Sequence, residues 1–266
     1  MESTTVPTYP AKPPAPYMGG KRKLADRIIR RIEAVPHETY VEPFVGMGGV
    51  FLRRPFKAKA EVINDISRDV ATLFRVLQRH YVPLMDMLRW QLTSRAEFER
   101  LKAAAADTLT DLERAARFLY LQRTAFGGKV TGRNFGVSVA TSARFDVGKL
   151  GSMLEDIHER LAGVVIECLA FSKLISTYDR PATLFYLDPP YWDCETDYGE
   201  GVFGKADFTA MAKQLGAISG KFILSLNDVP EVRHIFRRFN IEAVETGYSL
   251  NGKSQSRVGE VLISNL

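Results

Sequence analysis

Cysteine is nearly absent. Cys168 and Cys194 are the only two in 266 residues, and they form no C-x-x-C pair. A disulfide scaffold is therefore disfavoured and a reducing compartment, the cytoplasm, is expected. Long apolar runs are missing too: none approaches the ~18 residues of a membrane span. No charged start followed by an apolar stretch marks a secretory signal. His37, His80, His158 and His234 are scattered without ligand spacing, so no metal site is expected. Acidic residues are lacking over one stretch. Between residues 114 and 145 there is none, while Arg114, Arg117, Arg123, Lys129, Arg133 and Arg144 all fall there. That stretch reads either as a solvated helix face or as a contact surface for a polyanion. The net charge of +5 and the pI of about 9.1 are compatible with such a partner without demanding one.

What is present is an ordinary globular composition, 45% hydrophobic and 25% charged. The length allows one α/β domain with a sizeable insertion, or two small domains. Residues 1–16, with Pro7, Pro10, Pro13, Pro14 and Pro16, read as a flexible or extended tail. Helical periodicity runs from 21 to about 34. A strand at 39–43, a glycine-rich turn, a short helix to 54 and a strand at 60–64 make a βαβ-type unit. Residues 66–126 are helical in pattern, with capping boxes at Ser94/Glu97 and Thr110/Glu113. Glycines and alternating residues over 126–145 suggest a hairpin. A helix over 146–162, strands at 164–167 and 182–187, a helix at 207–219, a strand at 221–226, a helix at 229–239 and strands at 241–248 and 258–264 complete the chain.

Four segments carry chemistry. Asp188-Pro189-Pro190-Tyr191 follows a buried strand, and in open α/β sheets that edge is where ligands bind. An exocyclic amine on a flat ring is a poor nucleophile because its lone pair is delocalised. A carboxylate and a carbonyl accepting its two N–H bonds would free that pair, and a tyrosine could stack on the ring. The prolines fix φ and leave the Pro189 carbonyl free to accept. Alone, the four residues could equally be a turn. The turn Gly46-Met47-Gly48-Gly49 lets backbone approach a ligand closely, but Phe51 stands where a dinucleotide fingerprint needs glycine. Asp65 ends the next strand, suited either to ribose hydroxyls or to capping the helix that follows. Tyr17-Met18-Gly19-Gly20-Lys21 precedes a helix, and suits either an anionic group or a plain helix start.

In their order, Tyr17-Met18-Gly19-Gly20-Lys21, Pro43-Phe44-Val45-Gly46-Met47-Gly48, Asn64-Asp65-Ile66 and Asp188-Pro189-Pro190-Tyr191 resemble the Dam-type DNA adenine N6-methyltransferases. The resemblance covers essentially the whole chain after residue 16. Phe222-Ile223-Leu224-Ser225 and Gly259-Glu260-Val261-Leu262-Ile263 look similar to that family too. It implies an α/β, Rossmann-like methyltransferase sheet of seven strands, the last antiparallel, with an inserted α-rich DNA-recognition domain. The catalytic domain would span 17–67 and 163–266, and the target-recognition domain 68–162, its hairpin at about 126–145. The implied cofactor is S-adenosylmethionine, contacted by Tyr17, Lys21, Asp65 and Asp188. Phe44, Gly46 and Gly48 would lie along its methionine part, and Ile66 on its adenine.

The implied partner is double-stranded DNA, with a cognate restriction endonuclease if the chain serves a restriction-modification pair. The target adenine would flip out of the stack, rest on Tyr191, and give its N6 hydrogens to Asp188 and the Pro189 carbonyl, with Pro190 stiffening the loop. The aromatic, glycine-rich loop 192–205 would close over it. Arg123, Lys129, Arg133, Asn134 and Arg144 are the candidates for DNA contact. The hairpin departs from that of GATC-reading members. RNA or cytosine-N4 methylation, and a non-catalytic nucleic-acid-binding role, are the alternatives. Oligomeric state is left open.

Overall fold

Strand alternation sorts the core into two faces of one sheet. A computed structural model describes residues 5–21, 23–136, 144–199, 201–245 and 259–266. In chain order the strands are β1 (Val6–Pro7), β2 (Thr39–Glu42), β3 (Phe56–Lys57), β4 (Ala60–Asn64), β5 (Val165–Glu167), β6 (Thr183–Leu187), β7 (Lys221–Asn227), β8 (Asn240–Glu245) and β9 (Gly259–Ser264). Seven of them form the main sheet, in the order β5-β4-β2-β6-β7-β9-β8. β5, β4, β2, β6 and β7 run parallel, and β9 runs antiparallel between β7 and β8. The expected seven strands with an antiparallel last strand are therefore found. Residues 246–248 and 258, expected at the ends of the two closing strands, lie outside the described residues.

The helices are α1 (Ala25–Glu33), α2 (Arg68–Arg79), α3 (Tyr81–Leu88), α4 (Arg95–Ala103), α5 (Asp111–Thr124), α6 (Val147–Arg160), α7 (Phe171–Tyr178), α8 (Lys205–Leu215) and α9 (Pro230–Ile235). Along β6, Leu184 and Tyr186 face one core with α1, α2 and the helices of the insertion. Phe185 and Leu187 face the other with α7, α8 and α9. Both faces are thus covered, as parallel sheets require, and each fully buried leucine or phenylalanine contributes roughly 1.5–3 kcal/mol. Among the described residues the insertion shares its core with the sheet: Phe98, Phe118 and Leu150 belong to the same cluster as Tyr40 and Ile28.

Several expectations change. Residues 5–16 are not a free tail. Val6 and Pro7 pair with Lys57 and Phe56, Ala11 N donates to Leu52 O at 2.8 Å, and Ala11 and Ala15 are buried. The prolines make this strap extended, and the small alanines let it press onto the body. The Thr110/Glu113 capping box closes in both directions. At Ser94 only half forms, because the Glu97 carboxylate turns to Arg100 and Gln91 instead. Ser67, not Asp65, caps α2.

The helical part of the acid-free stretch is not a solvated face either. Arg114 is buried against Asp69 (2.5 Å) and Asp107 (2.9 Å), and Arg117 donates to the Leu101 carbonyl at 2.6 Å. Of the expected hairpin, one antiparallel bridge, Ala125 to Phe135, lies at its base; residues 137–143 are outside the described set.

Candidate active site

The chain leaves β2 for β4 and β5 on one side, then returns by β6 to pair with β2 on the other. The carboxyl ends of β2 and β6 therefore flank a topological switch point, where open sheets bind ligands. Asp188 follows β6 there, and Asp65 follows β4, one strand beyond β2.

Asp188 sits in a cluster of side chains from distant parts of the chain. Lys21 Nζ lies 2.8 Å from its Oδ1, and Ser225 Oγ, on β7, donates to the same oxygen at 3.1 Å. Ser225 is held in turn by the Tyr186 hydroxyl at 3.1 Å. Among the described residues every contact of Asp188 falls on Oδ1, which leaves Oδ2 for whatever enters the cleft. Lys21 is 3% exposed. Its ammonium lies 4.2 Å from the Tyr191 ring centre, donates to the Tyr191 hydroxyl, and stands 3.7 Å from Glu260 Oε2. The sequence suits Lys21 to an anionic group, and in the fold it meets the D-P-P-Y carboxylate. Burial raises the Asp188 carboxyl above the usual carboxylate range, and Lys21 opposes that rise. The Tyr191 phenol is pushed up by burial, then by the charges of Asp188 and Glu260.

A cleft of about 190 Å³ opens on this cluster, lined chiefly by Met18, Lys21, Asp188, Pro189, Tyr191 and Tyr198. The loop after Tyr191 is folded down over it. Tyr198 donates to the Met18 carbonyl at 2.9 Å and its ring lies 5.8 Å from that of Tyr17. The side chain of Asn227 clamps the root of the loop, accepting from Trp192 N at 3.0 Å and donating to Trp192 O at 3.1 Å.

The glycine turn and Asp65 form a second pole outside that cleft. Gly46 has φ +50, and a Cβ there would stand 3.0 Å from the Tyr17 ring. Gly46 N donates to Asp65 Oδ2 at 3.0 Å, and Ser67 N donates to Oδ1 at 2.9 Å. Burial raises Asp65 to about 6 against these two backbone bonds, which lower it. Ile66 beside it is 45% exposed, an apolar side chain left facing solvent. Gly48 has φ +72. Phe44 packs away from the turn, 5.7 Å from Phe171 and 6.0 Å from Phe203. An apolar face, a ribose-suited carboxylate and a close-approach turn in one place fit the nucleoside part of S-adenosylmethionine.

Of the candidates for nucleic-acid contact, Lys129, Asn134 and Arg144 are exposed. Arg123 donates to the carbonyls of Pro14 (2.7 Å) and Arg144 (3.2 Å), and Arg133 to Lys129 O (3.1 Å) and Gln122 Oε1 (3.2 Å). The loop they hold touches the site: Met18 N donates to Gly128 O at 3.2 Å, and Gln122 Nε2 reaches both Pro16 O and Gly128 O.

Sequence reading missed Glu260, Ser225, Asn227 and Tyr198's bond to Met18, because strand pairing and long-range loop contacts bring them in. It also missed Glu42, the last residue of β2. Glu42 is 2% exposed, accepts from the Tyr40 hydroxyl at 2.9 Å, and is raised by burial to about 8. Among the described residues no three His, Cys, Asp or Glu side chains are grouped to hold a metal, and no helix is long and apolar enough to cross a membrane.

Residues 17–250 match the family model of the D12 class N6 adenine-specific DNA methyltransferases. Among known proteins, the chain is 22% identical to the type II methyltransferase M.CviBI of Paramecium bursaria Chlorella virus NC1A, covering 94% of this chain and 95% of that one. It is 26% identical to the type II methyltransferase M1.LlaDCHI of Lactococcus lactis, over 96% and 95%. To the DNA adenine methylase of Haemophilus influenzae it is 24% identical, over 95% and 92%.

Proposed function

The chain belongs to the D12 class N6 adenine-specific DNA methyltransferases, and from that premise we propose how its own residues carry the reaction. The observation that bears most weight is that Lys21 and Ser225 both occupy Asp188 Oδ1, so that Oδ2 is the acceptor offered to substrate.

S-adenosylmethionine, when bound, supplies the methyl group as an electrophile on sulfur. Asp65 would hold its ribose hydroxyls, Ile66 would cover its adenine, and Gly46, Gly48 and Tyr17 would line its path toward Asp188, with Phe44 backing the turn against Phe171 and Phe203. Pro189 and Pro190 keep the loop rigid. The Pro189 carbonyl and Asp188 Oδ2 accept the two N6 hydrogens of the target adenine, which draws the nitrogen lone pair out of the ring plane. The base must leave the duplex to reach them, at a cost of a few kcal/mol. Stacking on Tyr191, worth roughly 1–3 kcal/mol, offsets part of that cost. Lys21 fixes the Asp188 carboxylate and underlies the Tyr191 ring, so both groups that meet the base are positioned by one ammonium. The folded-down loop, with Tyr198 on Met18, excludes water from that meeting. Rate gain then comes from positioning and electrostatics.

For double-stranded DNA, Lys129, Asn134 and Arg144 are the exposed candidates that would reach it. Arg123 and Arg133 act one step back, by shaping the loop that carries them. A restriction endonuclease with the same target would be the partner if the chain protects its host's DNA.

The test is direct. Incubated with tritiated S-adenosylmethionine and unmethylated plasmid, the protein should label N6-methyladenine. No label, or label in cytosine, overturns the reading.

A further inference from the structure

Two carboxylates, not one, face the Lys21 ammonium. Asp188 Oδ1 lies 2.8 Å away and Glu260 Oε2 3.7 Å, and Glu260 is completely buried. Glu260 reaches the site because β9 runs backwards. Its early residue Glu260 pairs with Asn227, the last residue of β7, so it arrives at the edge where the parallel strands end. A buried carboxylate costs much in desolvation and persists only with partners. One ammonium set between two carboxylates leaves the group of three with a net negative charge.

We propose that Glu260 is a positioning residue for methyl transfer: it holds Lys21 against Asp188 and its charge makes Asp188 a better acceptor for the proton that N6 must lose. This rests on the reading of Asp188 given above. In balance, the N6 lone pair forms the new N–C bond while the S–C bond breaks, its electron pair staying on sulfur. N6 then carries a positive charge and two hydrogens, and gives one proton to Asp188 Oδ2. Asp188 becomes neutral and later returns that proton to water. A carboxylate clamped by a lone ammonium would be a weak base; a second negative charge behind the ammonium restores its basicity.

Among the described residues, the other groups around Asp188 differ in sign. Ser225 on β7 and Lys21 lower its carboxyl, while Glu260 raises it after burial itself. Tyr186 on β6, Tyr191 and the loop's Tyr198 are phenols raised far above their ordinary range, so they stay neutral. Glu42 on β2, raised to about 8, is neutral near pH 7. Glu260 is thus the second anion of the cluster, and removing its charge has a defined sign.

The experiment compares the full chain with its Glu260→Gln variant in two ways. Single-turnover methylation of a duplex is followed against pH, and the Asp188 carboxyl is titrated in the free protein by carboxyl-carbon NMR, assigned with Asp188→Asn. In Glu260→Gln both the acid limb and the titration midpoint should move to lower pH by roughly one unit, and the plateau rate should fall about tenfold. Lys21→Met should move both the opposite way. A slower variant whose limb and midpoint stay in place overturns the proposal, because a structural role alone would give that. Should Glu260→Gln not fold, Lys21→Met/Glu260→Gln is compared with Lys21→Met, and its midpoint must lie lower; an equal midpoint overturns the proposal. If the unaltered chain fails to label adenine, the functional reading fails instead, while the NMR midpoints still judge Glu260.

Discussion

Asp65 and Asp188 each follow a buried strand, and burial raises both carboxyls, yet they are held by opposite kinds of group. Backbone N–H donors from Gly46 and Ser67 hold Asp65, one on each oxygen. Side chains from two distant segments, Lys21 and Ser225, hold Asp188 on a single oxygen, and Glu260 faces the same Lys21 ammonium. Backbone donors fix a geometry whatever the neighbouring side chains are, which suits the binding of an unchanging ligand. Side-chain donors and charges leave one oxygen free and its basicity adjustable, which suits a group whose charge state changes in the reaction. On the reading proposed above, the pole that binds would be built from main chain, and the pole that reacts from residues that can be tuned.

The comparison breaks most visibly at Asp188. Asp188→Ala should cut single-turnover methylation by about 10²–10⁴-fold, with S-adenosylmethionine affinity, read by calorimetry, largely kept. Comparable loss of both would merge the two poles into one. Asp65→Asn should do the reverse, weakening the affinity by about 10–100-fold, the worth of one charge-assisted hydrogen bond. In the unaltered chain the same affinity should fall as pH drops through about 6, where Asp65 takes up a proton. In Asp65→Asn that dependence should vanish.

Glu42 sharpens the contrast, since β2 lies between the strands that bear the two aspartates. Its folded carboxyl is raised from 4.5 to about 8, so its contribution to stability is complete below 4.5 and is lost as pH climbs through 8. Glu42→Gln should therefore melt a few degrees higher than the parent at pH 8 and no higher at pH 5. The smallest effect is expected furthest from either pole: Lys129→Ala should lower the salt slope of DNA binding by about one, equally for all sequences.

Much of this was legible in the chain. Apolar runs gave β2, β4, β6 and β7, and punctuation by glycine and proline gave the turns at Gly46 and Asp188. α7 escaped notice because its eight residues mix β-branched and polar side chains in too short a window for periodicity. The strap at 5–16 escaped because proline content speaks for extension and says nothing about whether an extended chain is packed. The arginines misled most. Charge is visible in a sequence, but a partner is not, and Arg114, Arg117, Arg123 and Arg133 all find theirs inside the fold. Glu260 was quoted as part of a closing strand. Its meeting with Lys21, 239 positions away in sequence, depends on the direction of that strand, which local pattern does not encode.

That strand has a bearing on when the enzyme comes into being. β9 is made after every other described strand, and it fills the slot between β7 and β8, which are not paired with each other. A nascent polypeptide can present Lys21, Asp188 and Tyr191 long before, but the second carboxylate arrives only with the closing segment. Synthesis of β9 and completion of the charge cluster are therefore one event, and a product that stops before β9 would lack the Glu260 carboxylate beside Lys21.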